Sequence, residues 1–115
     1  MKIVSEKNPI TTSELKKMAK NMFDNLVKAV VDIDKGVMAA DAPMHSDEEA
    51  ELIKNGSKQE DLWGINLYPG KRGEDFVEFD SMINIKPNQG NRSRGVKDVK
   101  IRNKIIKIVN KLVEK

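Results

Sequence analysis

Apolar residues first recur with a helical period. Leu15, Met18, Ala19, Met22, Phe23 and Leu26 fall at offsets 0, 3, 4, 7, 8 and 11, one stripe of an amphipathic helix. Thr11-Thr12-Ser13-Glu14 precedes it with the spacing of a capping box, T-x-x-E. The period then changes to two. Val27, Ala29, Val31 and Ile33 alternate with Lys28, Val30, Asp32 and Asp34, which predicts a strand. Asp34-Lys35-Gly36 is turn chemistry, and Val37–Ala40 returns as the hairpin partner. Upstream, Lys2-Ile3-Val4 reads as a short strand or tether ending at Asn8-Pro9.

The spacing Ser46…Glu49 predicts a second capping box, and Asp47, Glu48 and Glu49 suit the positive end of the helix it opens. Asn55-Gly56 ends that helix. Two alternating runs follow, 61–68 and 76–85, joined by the loop Pro69–Gly73 as a hairpin. One face carries Trp63, Ile65, Leu67, Val77, Phe79, Ile83 and Ile85. The other carries Gly64, Asn66, Tyr68, Glu78, Asp80, Met82 and Asn84. A last helix runs from an Asp98 N-cap to the end and buries Ile101, Ile105, Ile108, Val109 and Leu112. The expected fold is α+β in the order α-β-β-α-β-β-α, an antiparallel four-stranded sheet with its helices packed on one face. Residues 1–115 make one domain.

Charge changes this picture at the C-terminal end. Residues 1–85 carry 11 basic and 16 acidic side chains, a net of −5, whereas residues 86–115 carry 10 and 2, a net of +8. A basic quarter on an acidic body gives a face that steers anions. The absence of cysteine excludes disulfides, zinc–thiolate sites and a cysteine nucleophile. No apolar run approaches 18 residues and MKIVSEKNPI lacks a signal-peptide core, so a cytoplasmic protein without a membrane role is expected.

Candidate chemistry lies in two places. Asp32, Asn66, Asp80 and Asn84 share the wet side of the predicted strands, where short polar side chains are disfavoured unless they pair with something. The second place is the loop Gly90-Asn91-Arg92-Ser93-Arg94-Gly95, which leads into a helix N-terminus, with two arginines and a serine as donors. It is not a P-loop, since Val96 stands where lysine is required. Arg92, Ser93 and Arg94 are therefore expected to hold an anion, with Asn66, Asn84 and Asp32 orienting the rest of the ligand. Asp80, His45 and Glu49 are the candidates for acid–base work. Arginines paired with Asp32 and Asp80, and an exposed His45 beside a helix cap, are the structural alternatives. One histidine beside Asp47, Glu48 and Glu49 does not make a metal site, because adjacent helical residues face different ways; neither metal nor cofactor is expected.

Lys100, Lys104, Lys107, Lys111 and Lys115 form a basic stripe on the last helix. That stripe can follow a phosphate backbone. The first reading is thus a domain for a phosphorylated or carboxylated small molecule, with enzymatic activity left open. The alternative is nucleic-acid or ribonucleoprotein binding through the lysine stripe and the arginine loop. Oligomeric state is not legible.

The segments HSDEEAELIKNGSKQEDLWGINLYP, FDSMINIKP and GNRSRGVKD, taken as a set, resemble a family of short archaeal and bacterial proteins described only as a domain of unknown function. The resemblance implies a prokaryotic cytoplasmic setting and transfers no catalytic residue. Its distinctive segments coincide with His45–Glu49, Asp61–Asn66, Asp80–Asn84 and Gly90–Arg94.

Overall fold

Alternation along the central strand gives the sheet two buried faces. The computed structural model describes residues 1–115, with β1 (Lys2–Val4), β2 (Ile10–Thr11), α1 (Thr12–Met22), β3 (Val27–Asp32), β4 (Val37–Ala40), α2 (His45–Lys54), β5 (Leu62–Leu67), β6 (Val77–Glu78), α3 (Val99–Leu112) and β7 (Val113–Glu114). Val27, Ala29 and Val31 of β3 join Trp63, Ile65 and Leu67 of β5 on one face. Leu15 and Ala19 from α1 and Ile105, Val109 and Leu112 from α3 close over them. Val30 points the other way and packs with Ala39, Leu62 and Leu52, the last from α2. The expectation of helices on one face is therefore corrected: α1 and α3 cover one side and α2 the other. Val30, Ala39 and Leu62 supply a second apolar surface that a single helix layer would leave wet.

The sheet has five strands rather than four, in the order β1-β4-β3-β5-β6, all neighbours antiparallel. β1 adds to the outer edge of β4. A separate two-stranded parallel pair, β2 with β7, ties the residues after α3 to those before α1. Two-residue strands carry no periodicity, so this pair had no sequence signal.

Thr11 and Glu14 make the expected capping box: the Glu14 amide donates to Thr11 Oγ1 (3.1 Å) and the Thr11 amide to Glu14 Oε1 (3.3 Å). α1 stops at Met22, and Asp24 turns the chain with φ +75°. Asp98 caps α3, accepting from the Lys100 amide at 2.8 Å. The box expected at Ser46 does not form; α2 begins two residues earlier, behind Met44, which offers no side-chain cap. The largest departure is the strand expected over 76–85. Only Val77–Glu78 pairs in the sheet, and Met82–Asn84 coils into a 3₁₀ turn. Ser81 Oγ accepts from the Ile83 amide there (3.3 Å), a local bond that competes with a ladder. The turn breaks the alternation, so Ile83 packs on the α2 side and Ile85 is exposed.

Candidate functional site

Beyond β6 the chain keeps its alternation long enough to divide the predicted site in two. Phe79 packs against the main core on the α3 side, while Asp80 turns to the α2 side and pairs with Arg94 (Arg94 Nε to Asp80 Oδ1, 2.8 Å). The arginine loop divides likewise, with Arg92 and Ser93 beside Phe79 and Arg94 beside Asp80.

Asn91 holds this loop. Its buried Nδ2 donates to the carbonyls of Asn84 (2.6 Å), Gly95 (2.8 Å) and Ser93 (3.2 Å), and its Oδ1 accepts from the Lys97 amide (2.9 Å). Gly90, just before it, sits at φ +75°, which a side chain rarely tolerates. The loop so fixed walls an open groove of about 750 Å³, lined by Phe79, Arg92, Ser93, Val96, Lys97 and Arg102 among others. Gly90 and Lys97 also belong to the wall of an adjoining cavity of about 350 Å³, where Trp63, Asp98 and Ile101 face. None of Arg92, Lys97 and Arg102 forms an ion pair. Arg102 is positioned by one bond, Nη1 to the Val96 carbonyl (2.9 Å), which leaves its other donors free. The Trp63 indole N–H is buried and has no acceptor. Asp98 is the one carboxylate in the combined wall.

On the other face the strand register lines up Lys28, Asn66 and Glu78 as cross-strand neighbours. Asn66 Nδ2 and the Tyr68 hydroxyl both donate to Glu78 Oε1, at 2.8 and 2.9 Å. His45, the first residue of α2, sets Nε2 2.7 Å from the Ile65 carbonyl. A carbonyl can only accept, so Nε2 carries the proton and Nδ1 keeps a lone pair. Burial holds the imidazole below its usual pKa, against the opposing effect of the Ile65 bond, and the charges of Lys28, Asp80 and Arg94 also bear on it. One turn along, Glu48 is fully buried and accepts from the Ala42 amide (3.0 Å). Burial pushes its carboxyl up to about 9, so it is a protonated acid at neutral pH.

A sequence model for a family described as a protein of unknown function (DUF5674) matches residues 2–112. The chain belongs to that family. All three segments that carried the resemblance, and both the groove and the polar face, lie inside the matched range. No curated protein and no solved structure matches the chain.

Within this family member the predicted site residues fall into three groups. Arg92 and Ser93 line the basic groove. Asn66, Asp80, Arg94 and His45 gather on the polar face. Asp32, Asn84 and Glu49 join neither. Asp32 is buried at the far end of β3, where it accepts from the amides of Asp34 and Lys35 (both 2.9 Å) and from Ser57 Oγ (2.6 Å). Asn84 is spent on backbone groups of Gly64 and Arg94. Glu49 acts on Lys86, whose ammonium lies over the Trp63 ring (5.1 Å) and donates to the Gln59 carbonyl (3.0 Å). No three His, Asp or Glu side chains come together as a metal-ion cluster, and no helix is long and apolar enough to cross a membrane.

Sequence reasoning missed Lys28, Glu48, Trp63, Lys97 and Arg102. Lys97 and Arg102 were visible only as part of the C-terminal basic excess. Glu48 was visible only as one of three acids on a helix, and nothing local told it apart from its neighbours.

Proposed function

We propose that the chain binds small anionic molecules, phosphorylated or carboxylated, in the groove between the Arg92–Val96 loop and the start of α3. One observation carries this reading: Arg92, Lys97 and Arg102 converge on one groove without an ion-pair partner. Cations brought together from a loop and a helix repel one another, and an anion between them relieves that repulsion. Arginine adds a planar fork that matches phosphate and carboxylate oxygens. Trp63 stands in the wall of the adjoining cavity, so its indole ring lies next to the groove. Asp80 and His45 belong to the opposite side of the sheet edge, so the reading assigns them no part in holding this anion and names no reaction.

Trp63 is the sole tryptophan, which makes its fluorescence a local probe. Titration with sugar phosphates, nucleotides and dicarboxylates is expected to give a saturable change with at least one class. Arg102→Gln is expected to weaken it by about tenfold, the worth of one lost charge-assisted hydrogen bond. Equal affinities in wild type, Arg92→Ala and Arg102→Gln would sink the reading.

A second reading, nucleic-acid binding, draws on a different groove. Lys7, Lys35, Lys104, Lys107 and Lys111 come from three segments to line a cavity of about 590 Å³. Glu6 and Asp34 interrupt it, and Glu6 pairs with Lys111. That reading requires affinity for single-stranded RNA to fall steeply with salt and Lys104→Glu to weaken it.

A further inference from the structure

The cavity of about 590 Å³ beside α3 joins an apolar floor to a basic rim. Ile33, Val37 and Ile108 make the floor. Each is half-buried, Ile33 and Ile108 against the main core and Val37 against the cluster under α2, so part of each side chain stays in water. On α3, Lys104, Lys107 and Lys111 share one helical stripe with Ile108, which sets charge around an apolar centre. Lys7, Lys104 and Lys107 are exposed, and none of them forms an ion pair or lies over an aromatic ring. Lys111 is paired with Glu6. Lys35 turns its ammonium towards Gly56, 3.1 Å from where a Cβ there would stand. The walls are fixed by bonds of their own. Ser5 and Asn8 exchange backbone hydrogen bonds (3.1 and 3.0 Å) that close the turn carrying Glu6 and Lys7. Across the groove, the buried Asp32 carboxylate accepts from the Asp34 and Lys35 amides, and the Gly36 amide donates to the Asp32 carbonyl (2.9 Å). The Glu6–Lys111 pair ties the first turn to α3. Walls held in this way spare a ligand the cost of ordering them.

We infer that this groove binds a small amphipathic anion, an aliphatic chain that ends in a carboxylate or phosphate. The floor calls for the chain, because covering the half-exposed Ile33, Val37 and Ile108 removes apolar surface from water. The rim calls for the charge, because Lys7, Lys104 and Lys107 outnumber Asp34, the one unpaired acid of the lining. Lysine is a point charge that takes either head group, unlike the arginine fork. A volume of about 590 Å³ is that of a small-molecule site. A nucleic acid fits this groove less well. No aromatic ring in its lining offers a base a platform, and Glu6 and Asp34 interrupt the track that a phosphate backbone needs. The groove shares no lining residue with the one walled by the Arg92–Val96 loop, so either assignment can fail alone.

The test uses the full chain with labelled isoleucine and valine methyls, titrated in NMR with butyrate, hexanoate, octanoate, octyl phosphate and hexan-1-ol. Saturable shifts of the Ile33, Val37 and Ile108 methyls are expected with octanoate or octyl phosphate. Octanoate is expected to bind about tenfold or more tighter than butyrate, the effect of four added methylenes partly covered by the floor. Hexan-1-ol, with a chain but no charge, is expected to bind about fivefold more weakly than hexanoate. Lys104→Gln combined with Lys107→Gln alters only exposed, unpaired side chains and is expected to weaken octanoate by about fivefold. Val37→Thr puts a hydroxyl into the floor at nearly constant volume and is expected to weaken octanoate by about threefold, with butyrate changed by less than about twofold. The inference is overturned if neither octanoate nor octyl phosphate gives a saturable shift up to about 50 mM, far beyond a millimolar constant. Equal affinities for butyrate and octanoate, or full affinity in the double lysine variant, overturn it as well. So does a response of these methyls to single-stranded RNA with none to octanoate, which would leave the groove to nucleic acid.

Discussion

Asn84 and Gly64 exchange two hydrogen bonds: the Gly64 amide donates to Asn84 Oδ1 (2.7 Å) and Asn84 Nδ2 donates to the Gly64 carbonyl (2.9 Å). β6 covers β5 only at Asn66 and Leu67, and beyond it the Asn84 side chain does what a neighbouring strand would do. The same Nδ2 also holds the Arg94 carbonyl (2.9 Å), which fixes the arginine loop to the sheet edge. Asn84→Asp replaces the donor with an acceptor facing two carbonyls. A loss of about 3 kcal/mol in urea unfolding is expected, with Asn84→Ala somewhat milder.

Gly64 is the counterpart of that contact. A Cβ at this position would lie 2.5 Å from both Cβ and Oγ of Ser81. Gly64→Ala is expected to cost about 2 kcal/mol or more by overpacking. Adding Ser81→Gly, which removes the obstructing atoms, should restore part of the loss in thermal melts; a double variant no better than the single one would contradict the steric account.

Asn91 links stability to the shape of the groove proposed to bind anions. Its amide satisfies three carbonyls and one N–H of the loop that walls the basic groove. Asn91→Asp loses the donors and is expected to cost about 2–3 kcal/mol and to abolish the Trp63 fluorescence response at ligand concentrations that saturate wild type.

Asp98 sets cap and charge against each other. Asp98→Ala removes the bond to the Lys100 amide and is expected to cost about 1 kcal/mol. Asp98→Ser keeps a capping oxygen and deletes the one carboxylate of the combined wall. Anion affinity is expected to rise about threefold with stability nearly unchanged.

Glu48 makes stability depend on pH with a definite sign. Its carboxyl is pushed up to about 9 in the folded chain against 4.5 ordinarily. Between those values the folded state holds a proton that the unfolded state has released, so stability falls as pH rises from 4.5 towards 9. Glu48→Gln cannot ionise. It is expected to exceed wild type at pH 8 by about 1 kcal/mol or more, about 4 °C in Tm, and to match it near pH 4. His45 acts in the other direction: with its pKa held below 6.5, it takes a proton on unfolding and lowers stability as pH falls beneath that value. Melts of His45→Gln across pH 4–7 isolate this part.

Much of the fold was legible because its signals are local. The α1 stripe, the capping box at Thr11–Glu14, the first hairpin and the Asp98 cap each rest on residues within a few positions of one another. The strand expected over 76–85 was not legible, because Ser81 and Asn84 meet hydrogen-bond partners that alternation does not encode. The candidate site was half legible for the same reason. Residue types pointed to Arg92, Ser93, Asn66 and His45, but Asp32 and Asn84 read identically although both are spent on internal hydrogen bonds, Asn84 on backbone groups and Asp32 on backbone amides and the Ser57 hydroxyl.

By itself the sequence determined an α+β domain of this family, its three helices, its central hairpin, and a basic C-terminal quarter beside a polar strand face. Those properties follow from periodicity, capping and composition, which act over short stretches of chain. Only the tertiary structure decided that helices cover both sides of the sheet, that β7 returns to β2, and that Arg92 and Arg94 look to opposite faces. It also decided that Glu48, among three consecutive acids, is the one that is buried and protonated. Burial is set by what packs against a residue from distant segments, and a chain read in order carries no record of those distances.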